Sequence, residues 1–327
     1  MHLPYEITTT LLLPRPAQID VDQLRIALGR RLGAQFPQFE ETTHRLEPLL
    51  TASNLHLFLQ ARDLPVPEGR LTEALSSRLP DILLDDPATP AASHRAAVTV
   101  TAGFGPEPRA KGDAPVKSLP QQAFDQLLIL GHVAATHLAR QVHPLAIHWG
   151  QSEQILSPAR FDAMADILFP LPLFLHPHPT REEHDGIDWL ALEVRGASHL
   201  IGAPLRTAPA PVSFHWMMAR VYAFVSHLRA TGQKAAAGMA FATAEGERFT
   251  LQQDADGSVS MVLEVLDGEV CLNIETPSEA RQVRCKLFDA SKSSDPVDEP
   301  VANRASAVKP PSRLLGRQKA QVMRRVQ

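Results

Sequence analysis

The sequence predicts an α+β protein: mixed or antiparallel sheets packed with helices, closed by a C-terminal β-meander. Three observations predict it. Short β-branched runs alternate with capped, apolar helical stretches along most of the chain. Asp-Gly turns at Asp254-Ala255-Asp256-Gly257 and Asp267-Gly268 separate the late strands. The 327 residues are 44% hydrophobic and 21% charged, ordinary globular values that allow one large domain or two medium ones.

Glu6–Leu13 is rich in Thr, Ile and Leu and reads as a strand ended by Pro14 and Pro16. Asp20-Val21-Asp22-Gln23 reads as a capping box, with Ile19 placed to staple onto Leu24. Val21, Leu24, Leu28 and Leu32 then share one helical face, and Gly33 is the stop. Asn54–Ala61 alternates as a strand, Arg70–Arg78 reads as a short helix and Asp85–Ser93 as a loop. His94–Ala102 is a strand by its Val98-Thr99-Val100-Thr101 core, and Gly103–Lys117 is a Pro/Gly/charge loop.

Ser118-Leu119-Pro120-Gln121 opens a helix that runs to about Gln141. It is apolar nearly all round, which makes it a central helix, with His132 and His137 as core or interface residues. Pro144–Trp149 reads as a short buried strand, and Ser157-Pro158 starts a helix with Phe161, Met164, Ala165 and Leu168 inward. In the second half, Trp189–Val194 is a strand, Gly196 and Gly202 bracket a turn or second strand, and Pro204–Pro211 is a Pro-rich loop. Ser213–Ala230 is a helix and Gly238–Thr243 a strand. Strand, loop, helix, strand thus occurs twice, over His94–Trp149 and Trp189–Thr243, a candidate pseudo-repeat. Glu247–Gln252, Val259–Val265 and Glu269–Ile274 form the meander.

The organisation expected is an N-terminal part over 1–117, a second α+β part over 118–275 forming one body with the first, and a tail over 276–327. Ser291–Pro311 has few large apolar residues and cannot order itself by burial. The end carries Arg313, Arg317, Lys319, Arg324 and Arg325 with no acid, a candidate docking segment.

A net charge of -4 gives no global pull toward nucleic acid, and no apolar run is long enough to insert in a membrane. Met1–Leu13 lacks a basic segment of the secretory kind, so the expected compartment is the cytoplasm. Cys271 and Cys285 form no C-x-x-C pattern and read as reduced thiols.

No nucleophile elbow, phosphate loop, dinucleotide fingerprint or HExxH helix is present. The residues to weigh are therefore histidines. His176-Pro177-His178 with His184 is the densest cluster and the candidate metal set, though its surroundings read as an emerging solvated loop. His148-Trp149-Gly150-Gln151-Ser152 reads as a strand end and turn, which makes His148, Trp149 and Ser152 candidate pocket residues. No cofactor is expected.

Several of these segments resemble the bacterial domain of unknown function DUF4261 across Ala123–Val265. The matching residues are Phe124–Arg140 with Ala146-Ile147-His148-Trp149, then Ile155-Leu156-Ser157-Pro158 into Phe161. Gly196 to Gly202-Ala203-Pro204-Leu205, the helix Phe214–Gly232 and Gly238 through Arg248-Phe249 follow. Where that family tends to carry an acid after the glycine turn, this chain has Leu205-Arg206. The resemblance implies a bacterial cytoplasmic protein, some of whose relatives accompany secretion or toxin-immunity gene clusters, and it brings no reaction or catalytic residue. The expectation is a non-catalytic binding or adaptor protein with a protein partner. The alternative is a hydrolase or metal-dependent enzyme built from dispersed histidines.

Overall fold

The computed structural model describes residues 3–33, 36, 38–77, 79, 86–109, 119–184, 187–243 and 247–265. Strand β1 (Glu6–Leu13) lies inside a seven-stranded sheet of order β2-β3-β4-β5-β1-β6-β7. Its other members are β2 (Glu40–His44), β3 (Glu47–Ala52), β4 (Leu55–Arg62), β5 (Ala96–Phe104), β6 (Ala146–Trp149) and β7 (Gln154–Leu156), all paired antiparallel. The second sheet has the order β11-β12-β13-β10-β9-β8. Its strands are β8 (His176–His184), β9 (Ile187–Arg195), β10 (Leu205–Ala210), β11 (Ala240–Ala242), β12 (Arg248–Gln253) and β13 (Val259–Val265). Only β10 with β13 is parallel among its pairs.

Helix α1 (Val21–Leu32) starts where the capping box places it: the Asp20 carboxylate accepts from the Gln23 amide at 2.9 Å. Leu24, Leu28 and Leu32 are buried, and Gly33 ends the helix at φ 58°. Two short helices follow, α2 (Thr72–Leu75) and α3 (Ala88–Ala92). The latter corrects the expected loop over Asp85–Ser93, because the Asp86 carboxylate takes the Ala88 amide at 2.9 Å and the Thr89 hydroxyl at 2.7 Å.

The long helix α4 (Gln121–Val142) starts after Pro120, with no side-chain cap, and buries eleven residues. Its Gly131 lies over Ile7 and Trp149; a Cβ there would come within 2.8 Å of the Ile7 side chain. Close approach of helix to sheet is what this glycine allows. The odd residues of β1 face α4 for that reason, and the even residues face the other way. Since β6 and β7 complete the sheet begun by β1, the sheet crosses the 117/118 boundary. The described residues lie in one unit, Met1–Lys286.

Three further short helices are α5 (Pro158–Asp162), α6 (Leu171–Phe174) and α7 (Ala197–Ile201). Ser157 caps α5; Phe161, Met164 and Ala165 are buried as expected, but Leu168 is 39% exposed. Gly196 and Gly202 sit at φ 80° and 82°, so they bracket a helical turn, not a strand. Pro204–Pro211 is no loop either. It contains β10, and Pro209 falls where pairing with β9 shifts between Thr207 and Ala210, the irregular position at which a sheet tolerates a missing donor. Helix α8 (Phe214–Thr231) is capped by Ser213 and covers the second sheet with Met217, Val221 and Phe224. It is tied to α4 by a bidentate Arg229–Asp125 pair at 2.7 and 3.1 Å.

The repeated order survives in part. β5 and β6 flank β1, so β5–α4–β6 is a parallel crossover split by one strand. β10–α8–β11 is also a parallel crossover, but β13 and β12 lie between its strands. The two units share an order of elements and differ in pairing. The expected strand Glu269–Ile274, both cysteines, the Ser118 cap and the tail over 276–327 fall outside the described residues.

Candidate functional site

The even face of β1 builds the site. Thr10 lies opposite Thr99 of β5 and opposite His148 of β6, so the three form one row across the sheet. One step along, Thr8 faces Thr101, and the Gly150 amide donates to the Thr8 carbonyl at 2.9 Å. A Cβ on Gly150 would meet that same carbonyl oxygen at 2.9 Å, so a side chain there would push the turn off the sheet. At the far end of this face Leu12, Ala146 and Ile155 are covered by Leu71, Ala74 and Ala91. What stays open is a cavity of about 500 Å³ lined by Glu6, Thr8, Thr10, Thr99, His148 and Glu153, among others.

The turn after β6 organises the polar groups. Glu153 sits at φ 51°, in the left-handed region, and its carboxylate Oε2 lies 3.1 Å from His148 Nε2. That conformation costs a non-glycine residue of order 1 kcal/mol and clusters at functional sites. Trp149 alternates to the opposite face, fully buried, and its indole N–H donates to Gln151 Oε1 at 3.2 Å. An indole nitrogen only donates, which fixes the amide: Gln151 Nε2 donates to His199 Nδ1 at 3.3 Å and to the Gly196 carbonyl at 3.4 Å. Burial holds His199 below the ordinary imidazole value. Neutral, with Nδ1 accepting, His199 carries its proton on Nε2.

Glu6 marks one end of the cavity. Its Oε1 accepts from the Arg109 amide at 2.8 Å and lies 3.7 Å from His56 Nε2. His56 is fully buried, with Nδ1 3.0 Å from the Gly105 carbonyl, and burial pulls its pKa down. Arg62 and Arg70 line the opposite end.

Of the expected pocket residues, only His148 lines this cavity. Trp149 anchors the turn from behind. Ser152 is fully buried; its hydroxyl donates to the Leu173 carbonyl at 2.9 Å and accepts from Gln154 Nε2 at 2.9 Å. It has no open path to a substrate.

The expected solvated loop at His176–His184 is strand β8, at the edge of the second sheet. Pro177 and Pro179 alternate along it, so the missing N–H groups fall on one side of the strand, as an edge permits. His176 is 2% exposed and acts as a clasp. Its Nδ1 donates to the Glu153 carbonyl at 2.8 Å, and its Nε2 accepts from the Ser77 hydroxyl at 2.9 Å. A Ser–His contact suggests a nucleophile, but magnitude decides against it. Burial, then the His178 ring 4.3 Å away, pushes His176 to about 3, too weak a base to take a hydroxyl proton near neutral pH.

The same contacts remove it from a metal set, since both ring nitrogens are used. His178 is pushed to about 4, first by burial and then by Arg195. His184 stands eight residues along the same strand, about 26 Å from His176 at strand spacing. Among the described residues no group of three or more His, Cys, Asp or Glu could hold a metal ion. The basic residues Arg313, Arg317, Lys319, Arg324 and Arg325 lie outside the described residues.

Sequence reasoning missed Glu6, the threonine rows, Glu153, His199, Arg62 and Arg70. The period-two threonines Thr8 and Thr10 were the available signal, but β-branched residues in a strand are ordinary. With the fold and the cavity in place, the chain is a two-sheet α+β protein with a trough on its first sheet. No family model matches it, and no curated protein and no solved structure matches it. No helix among the described residues is long and apolar enough to cross a membrane.

Proposed function

We propose that the chain is a binding or adaptor protein of the DUF4261 kind, and that the trough over β5, β1 and β6 is where it holds its partner. One observation carries this reading. The trough floor is a row of hydroxyl and imidazole groups, Thr99, Thr10 and His148, held on a rigid sheet rather than on loops. A cavity of about 500 Å³ lined by such groups is of the size and character that recognises a polar ligand. Its ionisable groups are already positioned: His148 by Glu153, His199 by Gln151, Glu6 by the Arg109 amide. Preorganised donors and acceptors of this kind lower the ordering cost of binding.

The test is a thermal-shift and calorimetry panel of short peptides, sugars and small acids against the wild type, Thr10→Val and His148→Ala. Saturable binding that both substitutions weaken supports the reading. Binding that neither weakens would place the partner elsewhere. Turnover of a bound ester or amide by the wild type, lost in His148→Ala, would shift the reading to the hydrolase alternative, for which the His148–Glu153 contact is the specific support.

A further inference from the structure

The trough floor carries hydroxyl and imidazole groups beside apolar walls that include Pro4, Val66 and Pro67, and its two ends carry opposite charges. The Glu6 end lies in the row of Gly103 and His56; the Arg62 end lies in the row of Ala97 and Leu12. The open floor runs from Glu6 to Thr10, four residues of β1 or about 13 Å at strand spacing, and Arg62 enters it from the covered Leu12 row. Arg70 belongs to the Arg62 end, because the adjoining Leu71 packs against Leu12.

Among the described residues neither Arg62 nor Arg70 has a carboxylate partner, whereas Arg140, Arg195, Arg206, Arg229 and Arg248 each have one. Two unpaired guanidiniums lining one cavity form an oxyanion site in waiting, since the planar fork of arginine fits a carboxylate with two parallel hydrogen bonds. A cavity of about 500 Å³ drawn out over such a length is narrow. A compact molecule such as a sugar phosphate would reach one end only. An extended peptide of about four residues spans both.

We propose that the trough captures the C-terminal end of a peptide or protein chain. The terminal carboxylate sits between Arg62 and Arg70. The peptide amides lie over the threonine rows and His148. A basic side chain, about three residues upstream, meets Glu6. Each contact uses a capacity left open: among the described residues Arg62 and Arg70 have no carboxylate partner, and Glu6 has a second carboxylate oxygen beyond the one that accepts from Arg109. Capture of a chain terminus by a charged recess is an established mode of peptide recognition.

The inference rests on the binding reading above, and one experiment separates their failures. The full-length chain is incubated with a degenerate hexapeptide library made in two forms, free-acid and C-terminally amidated. Wild type, Arg62→Gln/Arg70→Gln and an Arg30→Gln control are compared, and enriched peptides are titrated by fluorescence polarisation. The expected result is enrichment of free-acid peptides with Lys or Arg about three residues before the C-terminus. Affinity falls at least tenfold on amidation and at least tenfold in the double variant, and is unchanged in the control. Peptides that bind equally well as amides, or equally well to the double variant, would overturn the C-terminal capture and leave the binding reading standing. No enrichment in either form, together with inorganic phosphate or a sugar phosphate giving a shift that Arg62→Gln/Arg70→Gln abolishes, would overturn the peptide and keep the oxyanion site. No enrichment and no anion-dependent shift would overturn both.

Discussion

Two histidines hold on to the same residue and come to opposite ends. His148 is bonded to the Glu153 carboxylate at 3.1 Å, and His176 donates to the Glu153 backbone carbonyl at 2.8 Å. His148 lines the trough; His176 is sealed beneath the turn, with Ser77 on its other nitrogen. What separates them is which part of Glu153 they use. A side chain can release its partner and reach for a ligand. A backbone carbonyl in a turn between two strands cannot move without moving the strands. One histidine is thus available for recognition, and the other is part of the frame that aims it.

The largest expected effect tests the frame. His176→Ala removes two hydrogen bonds, leaves the Glu153 carbonyl and Ser77 hydroxyl unsatisfied, and opens a void. Together these cost about 3 kcal/mol. His148→Ala gives up one contact in the trough, worth about 1 kcal/mol. Urea unfolding midpoints at unchanged slope should order the two variants this way. Equal losses would mean that His148 belongs to the frame and not to the trough.

Acid comes next in size, and it acts on the buried class. His176 is pushed from 6.5 to about 3 and His132 to about 4, each chiefly by burial. His132 is fully buried; among the described residues neither ring nitrogen makes a full hydrogen bond, and a contact with the Leu168 backbone offsets only part of the burial. The folded pKa lies below the unfolded one, so between them the unfolded chain binds more protons. Stability is therefore complete above pH 6.5 and falls as pH drops toward 3–4. Each group contributes roughly 2–3 kcal/mol of loss by about pH 4.5. His132→Leu should flatten the acid limb by that amount and leave stability at neutral pH nearly unchanged, because only the weak contact with the Leu168 backbone is lost. An unchanged acid limb in His132→Leu would show that the loss arises elsewhere.

Much of the frame is legible in the sequence, and the trough is not. Local chemistry announces itself. Asp20, Ser157 and Ser213 each cap the helix expected of them, and Asp254 to Gly257 makes the turn that joins β12 to β13. Elements whose stability comes from pairing are silent. The β2–β3 hairpin turns at Arg45 and Leu46, both at positive φ, with no glycine or asparagine to mark it. β10 hides behind its prolines because burial of Leu205 and Thr207 outweighs their weak strand signal. The prolines of β8 suggest a loop to the eye and an edge strand to the sheet. The trough is further out of reach: Glu6, Arg62, Thr99 and His148 come from four strands, and only their register makes them neighbours. His148 was findable because a histidine at a strand end is uncommon on both counts.

The smallest effect is the sharpest, because a single substitution divides the two histidines. Glu153→Gly keeps the backbone carbonyl that holds His176 and removes the carboxylate that holds His148. At φ 51° a glycine is relieved of the left-handed cost that glutamate bears. Glycine also gives the unfolded chain more freedom, which costs roughly 0.5–1 kcal/mol and nearly cancels the gain. Stability should stay within about 0.5 kcal/mol of the wild type. Recognition in the trough should weaken, since His148 loses its orienting partner and the trough loses a carboxylate. A loss of stability above about 1 kcal/mol, on a scale where a conformationally compatible glycine is near neutral, would mean that the carboxylate also braces the turn. The two histidines would then be one structural unit. Unchanged stability with weakened binding is the outcome that a movable side chain above a fixed backbone requires.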